Sequence, residues 1–223
     1  MSDSKSRIWA DIAQALARHP VEAGSPAAEL PVQPCSEFGP AGSEATLRRF
    51  AENLAKVGGE CHILKDEEAA LSQLRGNLGE CHGQSVLVPP DGELDRMGVA
   101  RIVYETGCAA VYPRSVPLDV ASKASVGITV AYGGIADTGT IVLIHATSAD
   151  QLSALLPQTH IVLLPKHTVY PDKPDLLAGL RTDGINLSTS LMTWVTGPSL
   201  TADIEKVLVR GAHGPRRVVV LIY

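Results

Sequence analysis

From Ser43 onward, short β-branched runs alternate with segments of helical period, and this alternation limits the fold more than any other feature. Ser43 stands where a helix cap belongs, ahead of Leu47, Phe50 and Leu54 on one helical face, and Gly58-Gly59 closes that helix. Strands are predicted at Cys61 to Leu64, Ser85 to Val88, Ala109 to Tyr112, Val126 to Val130, Ile141 to Ile144, Ile161 to Leu164, Leu191 to Val195 and Val218 to Ile222. Helices are predicted at Glu67 to Leu78, Ala149 to Leu156, Asp172 to Leu180 and Leu200 to Arg210, with a helical stretch around Leu94 to Val99. Strands that take turns with helices predict a three-layer α/β/α domain over 43–223, its sheet mainly parallel and covered on both faces.

The core has to be aliphatic. Of 223 residues 45% are hydrophobic but only 4% aromatic, so Val, Ile, Leu and Ala fill the interior. Residues 1–42 are set apart. Ile8, Ile12 and Leu16 recur at helical spacing, so 4–18 reads as an amphipathic helix. Pro20, Pro26, Pro31, Pro34 and Pro40 then forbid regular structure and make an extended Pro/Gly-rich linker. The helix is an arm that docks either on a second subunit, giving a homodimer, or on its own domain.

A formal charge of −5 excludes a nucleic-acid partner, because Arg48-Arg49 and Arg216-Arg217 are too short to track a phosphate backbone. No apolar run approaches the ~20 residues of a membrane span, and the polar N-terminus has no signal-peptide character. Cys35, Cys61, Cys81 and Cys108 are scattered without a Cys-x-x-Cys, which supports neither an iron–sulfur cluster nor a metal site. Reduced core thiols and a cytoplasmic location are the expectation. No dinucleotide or P-loop fingerprint is present, so no cofactor is expected.

Candidate chemistry gathers at two turns. Gly133-Gly134-Ile135-Ala136-Asp137-Thr138-Gly139-Thr140 links two apolar runs and offers a carboxylate, two hydroxyls and backbone that can approach a ligand. Asp137 is the candidate base or nucleophile, and Thr138, Gly139 and Thr140 are candidate ligand contacts. The alternative is a tight turn in which Asp137 and Thr138 bond their own backbone. The second turn, Gly197-Pro198-Ser199, opens the predicted helix at Leu200, whose first N–H groups and dipole would hold a small anion, with Thr201 and Asp203 alongside. Asp203 serves equally well as a first-turn acid. No cation falls inside either turn, and Lys166 and His167 are the candidates to supply one. His213 is a further candidate. A helix over Leu200 to Arg210 would separate it from Ser199 by roughly 16 Å, unless a second subunit intervenes, and it could instead bond backbone in its turn.

In order, Ile135-Ala136-Asp137-Thr138-Gly139-Thr140, Leu156-Pro157 with His160-Ile161, Gly197-Pro198-Ser199 with Thr201-Ala202-Asp203-Ile204-Glu205, and Gly211 with His213-Gly214-Pro215 resemble the lactate-utilisation protein C family, whose members carry a LUD domain. The resemblance covers roughly 43–223. It implies a fold like that of sugar-phosphate isomerases and CoA transferases. It also implies a part in oxidising L-lactate to pyruvate beside two partner proteins that carry iron–sulfur clusters. Two positions depart from the family: Leu200 stands where Arg is usual, and Asp137 where Glu is more frequent. The reading that results is a non-redox component of a lactate-utilisation system that binds a small anionic ligand or partner subunits. The alternative is a stand-alone enzyme acting on a phosphorylated sugar or CoA thioester.

Overall fold

The computed structural model describes residues 39–186, 191–202, 208–210 and 214–223, together with Gln14. Two units divide the chain, Met1–Gln33 and Pro34–Tyr223. Of the first, Gln14 is described, as an exposed helical residue; the predicted arm and most of the linker lie outside the described residues. All other described residues belong to the second unit.

Six parallel strands form its main sheet: β1 (Glu60–Ile63), β2 (Ser85–Leu87), β3 (Ala109–Val111), β4 (Val126–Val130), β7 (Thr159–Leu164) and β12 (Arg217–Ile222). Their order is β1-β12-β7-β4-β2-β3. Ile161, Val162, Leu163 and Leu164 are all buried, because both faces of β7 are covered. One face meets α2 (Glu67–Gly79), α3 (Gly92–Arg96) and α4 (Val99–Glu105), with Leu74, Leu94 and Val103 packed on Ile161, Leu163 and Leu221. The segment 91–106, predicted only as helical near Leu94, is two helices broken at Gly98, whose φ is 66°.

The other face is covered differently from a plain helical layer. α1 (Glu44–Lys56) and α6 (Ser148–Leu155) share it with a second, mixed sheet in the order β8-β5-β6-β9. Its strands are β5 (Gly133–Ile135), β6 (Thr140–His145), β8 (Val169–Tyr170) and β9 (Leu191–Val195). Ile141 and Leu143 face inward onto Val162 and Leu164, while Val142 and Ile135 face outward under Leu176 and Leu180 of α7 (Lys173–Thr182). A short α5 (Leu118–Ala121) closes the edge beside β2. As predicted, Ser43 Oγ accepts the Thr46 N–H at the start of α1.

Two expectations are corrected. Gly133 and Gly134 belong to a strand, not to the turn; the turn is 136–139. Gly134 is small for a packing reason, since a Cβ there would lie 2.9 Å from the Phe50 ring. The predicted helix over Leu200 to Arg210 is instead an antiparallel pair, β10 (Leu200–Ala202) with β11 (Leu208–Arg210), in which Leu200 is in register with Arg210. The run Leu208-Val209 is apolar and includes a β-branched residue, enough to pair as a strand, which outweighs a helical period read over so few residues.

α6 rides very close to the sheet. A Cβ on Gly127 of β4 would lie 1.8 Å from the Ser153 carbonyl oxygen, so this position admits no side chain. Gly127→Ala should therefore cost about 1–3 kcal/mol or more as α6 is forced outward. Urea unfolding checks this, and a midpoint equal to wild type would show that α6 has slack.

Candidate functional site

The two predicted turns do come together, though not on the main sheet. β6 pairs with β9 antiparallel, Ile141 opposite Val195, which sets Thr140 beside Thr196. The Thr138, Thr140 and Thr196 hydroxyls form a line, with Oγ1–Oγ1 distances of 2.6 and 2.8 Å. Both turns press on the end of α1. Gly139, at φ 65°, has no room for a Cβ, which would lie 2.3 Å from the Leu54 nitrogen, and Gly197 approaches the Val57 carbonyl in the same way.

α1 supplies the cation that neither turn contains. Arg49, Asn53 and Lys56 recur on one helical face. Arg49 pairs with the half-exposed Asp137 carboxylate. Asn53 donates to the Ala136 and Asp137 carbonyls at 2.8 and 2.9 Å, and Lys56 donates to Asn53 Oδ1 at 2.9 Å. Lys166, a cation expected from the sequence to serve these turns, donates instead to the Lys65 carbonyl at 2.7 Å, and His167 lies in the same short 3-10 turn.

With β10 in place of a helix, no helix dipole points out of Gly197-Pro198-Ser199, and the Ser199 N–H is spent on the Pro215 carbonyl at 2.9 Å. Thr201 lies on β10. The chain doubles back, so Ser199 adjoins Gly214, opposite to the separation that a helix implied. Asp203 and His213 lie outside the described residues.

A second polar centre, which the sequence did not suggest, lies at the carboxyl edge of the main sheet. From β2 the chain moves outward to β3, and from β4 it moves the opposite way to β7 and β12. The crevice between β2 and β4 is thus a topological switch point, where α/β proteins bind ligands. A cavity of about 420 Å³ opens there, walled by Pro89, Pro90, Asp91, Thr129, His145 and Ala146, with Asp150 below. Pro89 and Pro90 end β2 because they cannot donate to its ladder, and Asp91 Oδ1 caps α3 through the Glu93 and Leu94 N–H groups.

Its walls are held by a polar network. Asp150 accepts two Arg114 bonds, at 2.8 and 2.6 Å, and two more from Thr147, as the third residue of a capping box. Burial pushes the Asp150 carboxyl up, but Arg114 and Thr147 outweigh it and hold it below its ordinary value. His145 Nε2 meets Thr193 Oγ1 at 3.1 Å, and Gln151 donates to the same hydroxyl at 2.9 Å. Burial lowers the His145 pKa against the pull of Asp150. His160 is fully buried, its pKa pushed down to about 3 by burial and then by His145. Its Nε2 meets Thr129 Oγ1 at 2.8 Å, while Nδ1 has no partner. An unpaired acceptor is tolerated better than an unpaired N–H, so the proton sits on Nε2 and points at Thr129. The Thr-x-x-Asp box at Thr147 was a local sequence signal for this centre; His160 stood in the family resemblance without a role, and His145 gave no signal, because it is isolated in the chain.

Among the described residues, no group of three or more His, Cys, Asp or Glu is placed to hold a metal ion, and no helix is long and apolar enough to cross a membrane.

A mainly parallel sheet covered on both faces, with a crevice at its switch point, defines a layered α/β protein. Within that class the chain belongs to the LUD domain family, whose pattern it matches over residues 47–223. It is 30% identical to a protein of Bacillus velezensis named lactate utilization protein C, over 69% of this chain and 68% of that one. It is 27% identical to the uncharacterized protein YkgG of Escherichia coli K12, over 99% of this chain and 98% of that one. Its fold is similar to a crystal structure of a DUF162 family protein from Deinococcus radiodurans, with a TM-score of 0.55 and 17% identity, covering 79% of this chain and 95% of that one.

Both depressed histidines give the fold a pH dependence of known sign. From the ordinary value of 6.5 downward, the unfolded chain binds protons that the folded chain refuses. Stability should be full above about pH 6.5 and fall as the pH drops below it, by at most about 1.4 kcal/mol per pH unit for each histidine. The Asp150 loss belongs to a lower window, below its ordinary 3.8. Urea unfolding between pH 7.5 and 5 reads the slope, and His160→Gln should flatten it. A slope unchanged by that substitution would mean that His160 is not the group refusing the proton.

Proposed function

We propose that this chain serves in lactate utilisation as a component that handles no electrons itself and binds a 2-hydroxy acid where α1 meets the Asp137 turn. The observation that carries the ligand half is the Arg49–Asp137 pair set beside the Thr138, Thr140 and Thr196 hydroxyls. A 2-hydroxy acid bears a carboxylate and a hydroxyl on neighbouring carbons. Arg49 places a guanidinium charge beside these hydroxyls, where it attracts a carboxylate, with Lys56 adding charge. Asp137 accepts the substrate hydroxyl, and the threonines complete the set. Asp137 in this reading is a binding group, with a base role open to it.

The lactate half rests on the names of the relatives. In this reading its electrons pass elsewhere, because the scattered cysteines lack the spacing of a cluster-binding motif. Partner proteins with iron–sulfur clusters, as the resemblance implies, would carry them. The reading as an enzyme of phosphorylated sugars is disfavoured at the switch point, where Asp91 stands in place of a phosphate donor.

Calorimetry with purified protein tests the site. L-lactate should bind, and pyruvate, lacking the hydroxyl, should bind at least ~10-fold more weakly to a site built around that hydrogen bond. Arg49→Gln should abolish both. Asp137→Asn removes a half-exposed ion pair worth no more than about 1 kcal/mol, so its Tm should stay within a few degrees of wild type. In a deletion strain complemented with that variant, growth on lactate should fail. Normal growth on lactate, or unfolding of the variant, would reduce Asp137 to a turn former.

A further inference from the structure

The 2-hydroxy-acid cluster and the switch-point cavity are different places. They lie at the two ends of β6, Thr140 at one and His145 at the other, roughly 17 Å apart at about 3.4 Å per residue. The cavity therefore calls for an occupant of its own.

That occupant is larger than a three-carbon acid, which fills on the order of 100 Å³, judged against about 30 Å³ for one water. The cavity holds about 420 Å³ and continues into a second of about 250 Å³, with Asp91, Val130 and Ile144 common to both. This is the range of sites for cofactor- or drug-sized molecules.

The occupant is also uncharged or cationic. Among the described residues, the walls of the two cavities carry Asp91, Glu93 and Asp150 but no lysine or arginine. Asp150 is neutralised by Arg114, and Glu93 by Arg96. Asp91 keeps one oxygen outside its capping bonds. An anion entering this crevice would meet uncompensated negative charge, whereas a hydroxyl donor would meet an acceptor.

Polarity divides the cleft in two. At one end, Thr129 has a lone pair taken by His160 Nε2–H, which leaves its own proton to give. Thr193 accepts from Gln151 and also meets His145 Nε2; in the tautomer where Thr193 donates to Nε2, the imidazole N–H is on Nδ1. That end offers two donors and the Asp91 acceptor within one wall. The other end is bounded by Val130, Ala131, Tyr132, Ile144 and Ile185. Aliphatic walls with one aromatic ring suit a flat apolar group.

We propose that the crevice between β2 and β4 is a second binding site, for a neutral ligand with a hydroxylated ring at one end and a flat ring at the other, the chemistry of a nucleoside without its phosphate. The hydroxyls are taken by Asp91, Thr129 and His145, and the flat ring lies between Tyr132 and Ile185. The Asp91 carboxylate makes the site select against a phosphorylated form of the same molecule.

Adenosine and AMP are the probes, titrated into the isotope-labelled full chain and followed by amide chemical shifts. Adenosine should give saturable shifts around Thr129 and His145, with AMP at least ~10-fold weaker. Ala146 is exposed at the rim, so Ala146→Trp plugs the mouth without entering the core and should abolish the shifts. Asn caps a helix as well as Asp, so Asp91→Asn keeps α3 and should close the gap between adenosine and AMP. Arg49→Gln, which disables the 2-hydroxy-acid cluster, should leave adenosine binding unchanged. The proposal is overturned if adenosine gives no saturable shifts, if AMP binds the unaltered chain as tightly, or if the shifts survive Ala146→Trp or centre on Thr138 to Thr140.

Discussion

Two-sided burial of β7 and β12 is the constraint on which the rest of this molecule depends. Val162, Leu163, Leu164, Val219, Val220 and Leu221 have no solvent exposure, and each such side chain contributes about 1.5–3 kcal/mol relative to an exposed one. A parallel sheet that apolar on both faces must be covered on both. One cover is a conventional helical layer. The other is assembled from α1, α6 and a second sheet, and both candidate sites are consequences of how that second cover is built.

β6 is the element that links them. Its inward residues Ile141 and Leu143 seal the main sheet, which fixes the strand in position and register. Its first residue, Thr140, is thereby delivered to Thr196 and the end of α1, and its last, His145, to the switch-point crevice. The hydroxyls at each end are hydrogen-bonded, which offsets the cost of withdrawing them from water. Charges are handled differently at the two ends. At the α1 end, Arg49 and Asp137 remain partly in water and can exchange partners. At the crevice, Asp150 is almost wholly buried and is saturated by Arg114 and Thr147, so it supports the wall and takes no ligand itself.

The elements that the sequence made legible are those whose local signals agree with their tertiary setting. The Ser43 cap with Leu47, Phe50 and Leu54, the apolar strands β4, β7 and β12, and the helix α7 that follows Asp172 read the same way from the chain and in the fold. The turn at Asp137 could be picked out because Gly, Asp and Thr mark a tight reversal. Its cation could not, because Arg49 lies 88 positions earlier in the chain. The segment over 200–210 misled because ~10 residues carry too little periodicity to separate a helix from a hairpin.

The sequence alone determined the fold class, since alternating β-branched and helical-period runs with so few aromatics have few other ways to bury themselves. It also determined which residues punctuate the strands and cap the helices, because those depend on near neighbours in the chain. Only the tertiary structure decided that Gly133 and Gly134 pair as a strand, that a second sheet replaces part of a helical layer, and that His145, Thr129 and Asp150 line one cavity with His160 bonded to Thr129. Each of these rests on contacts between residues far apart in the chain, whose energies a local pattern does not record. The reach of a hydrogen bond is about 3 Å, and only the fold brings such groups within it.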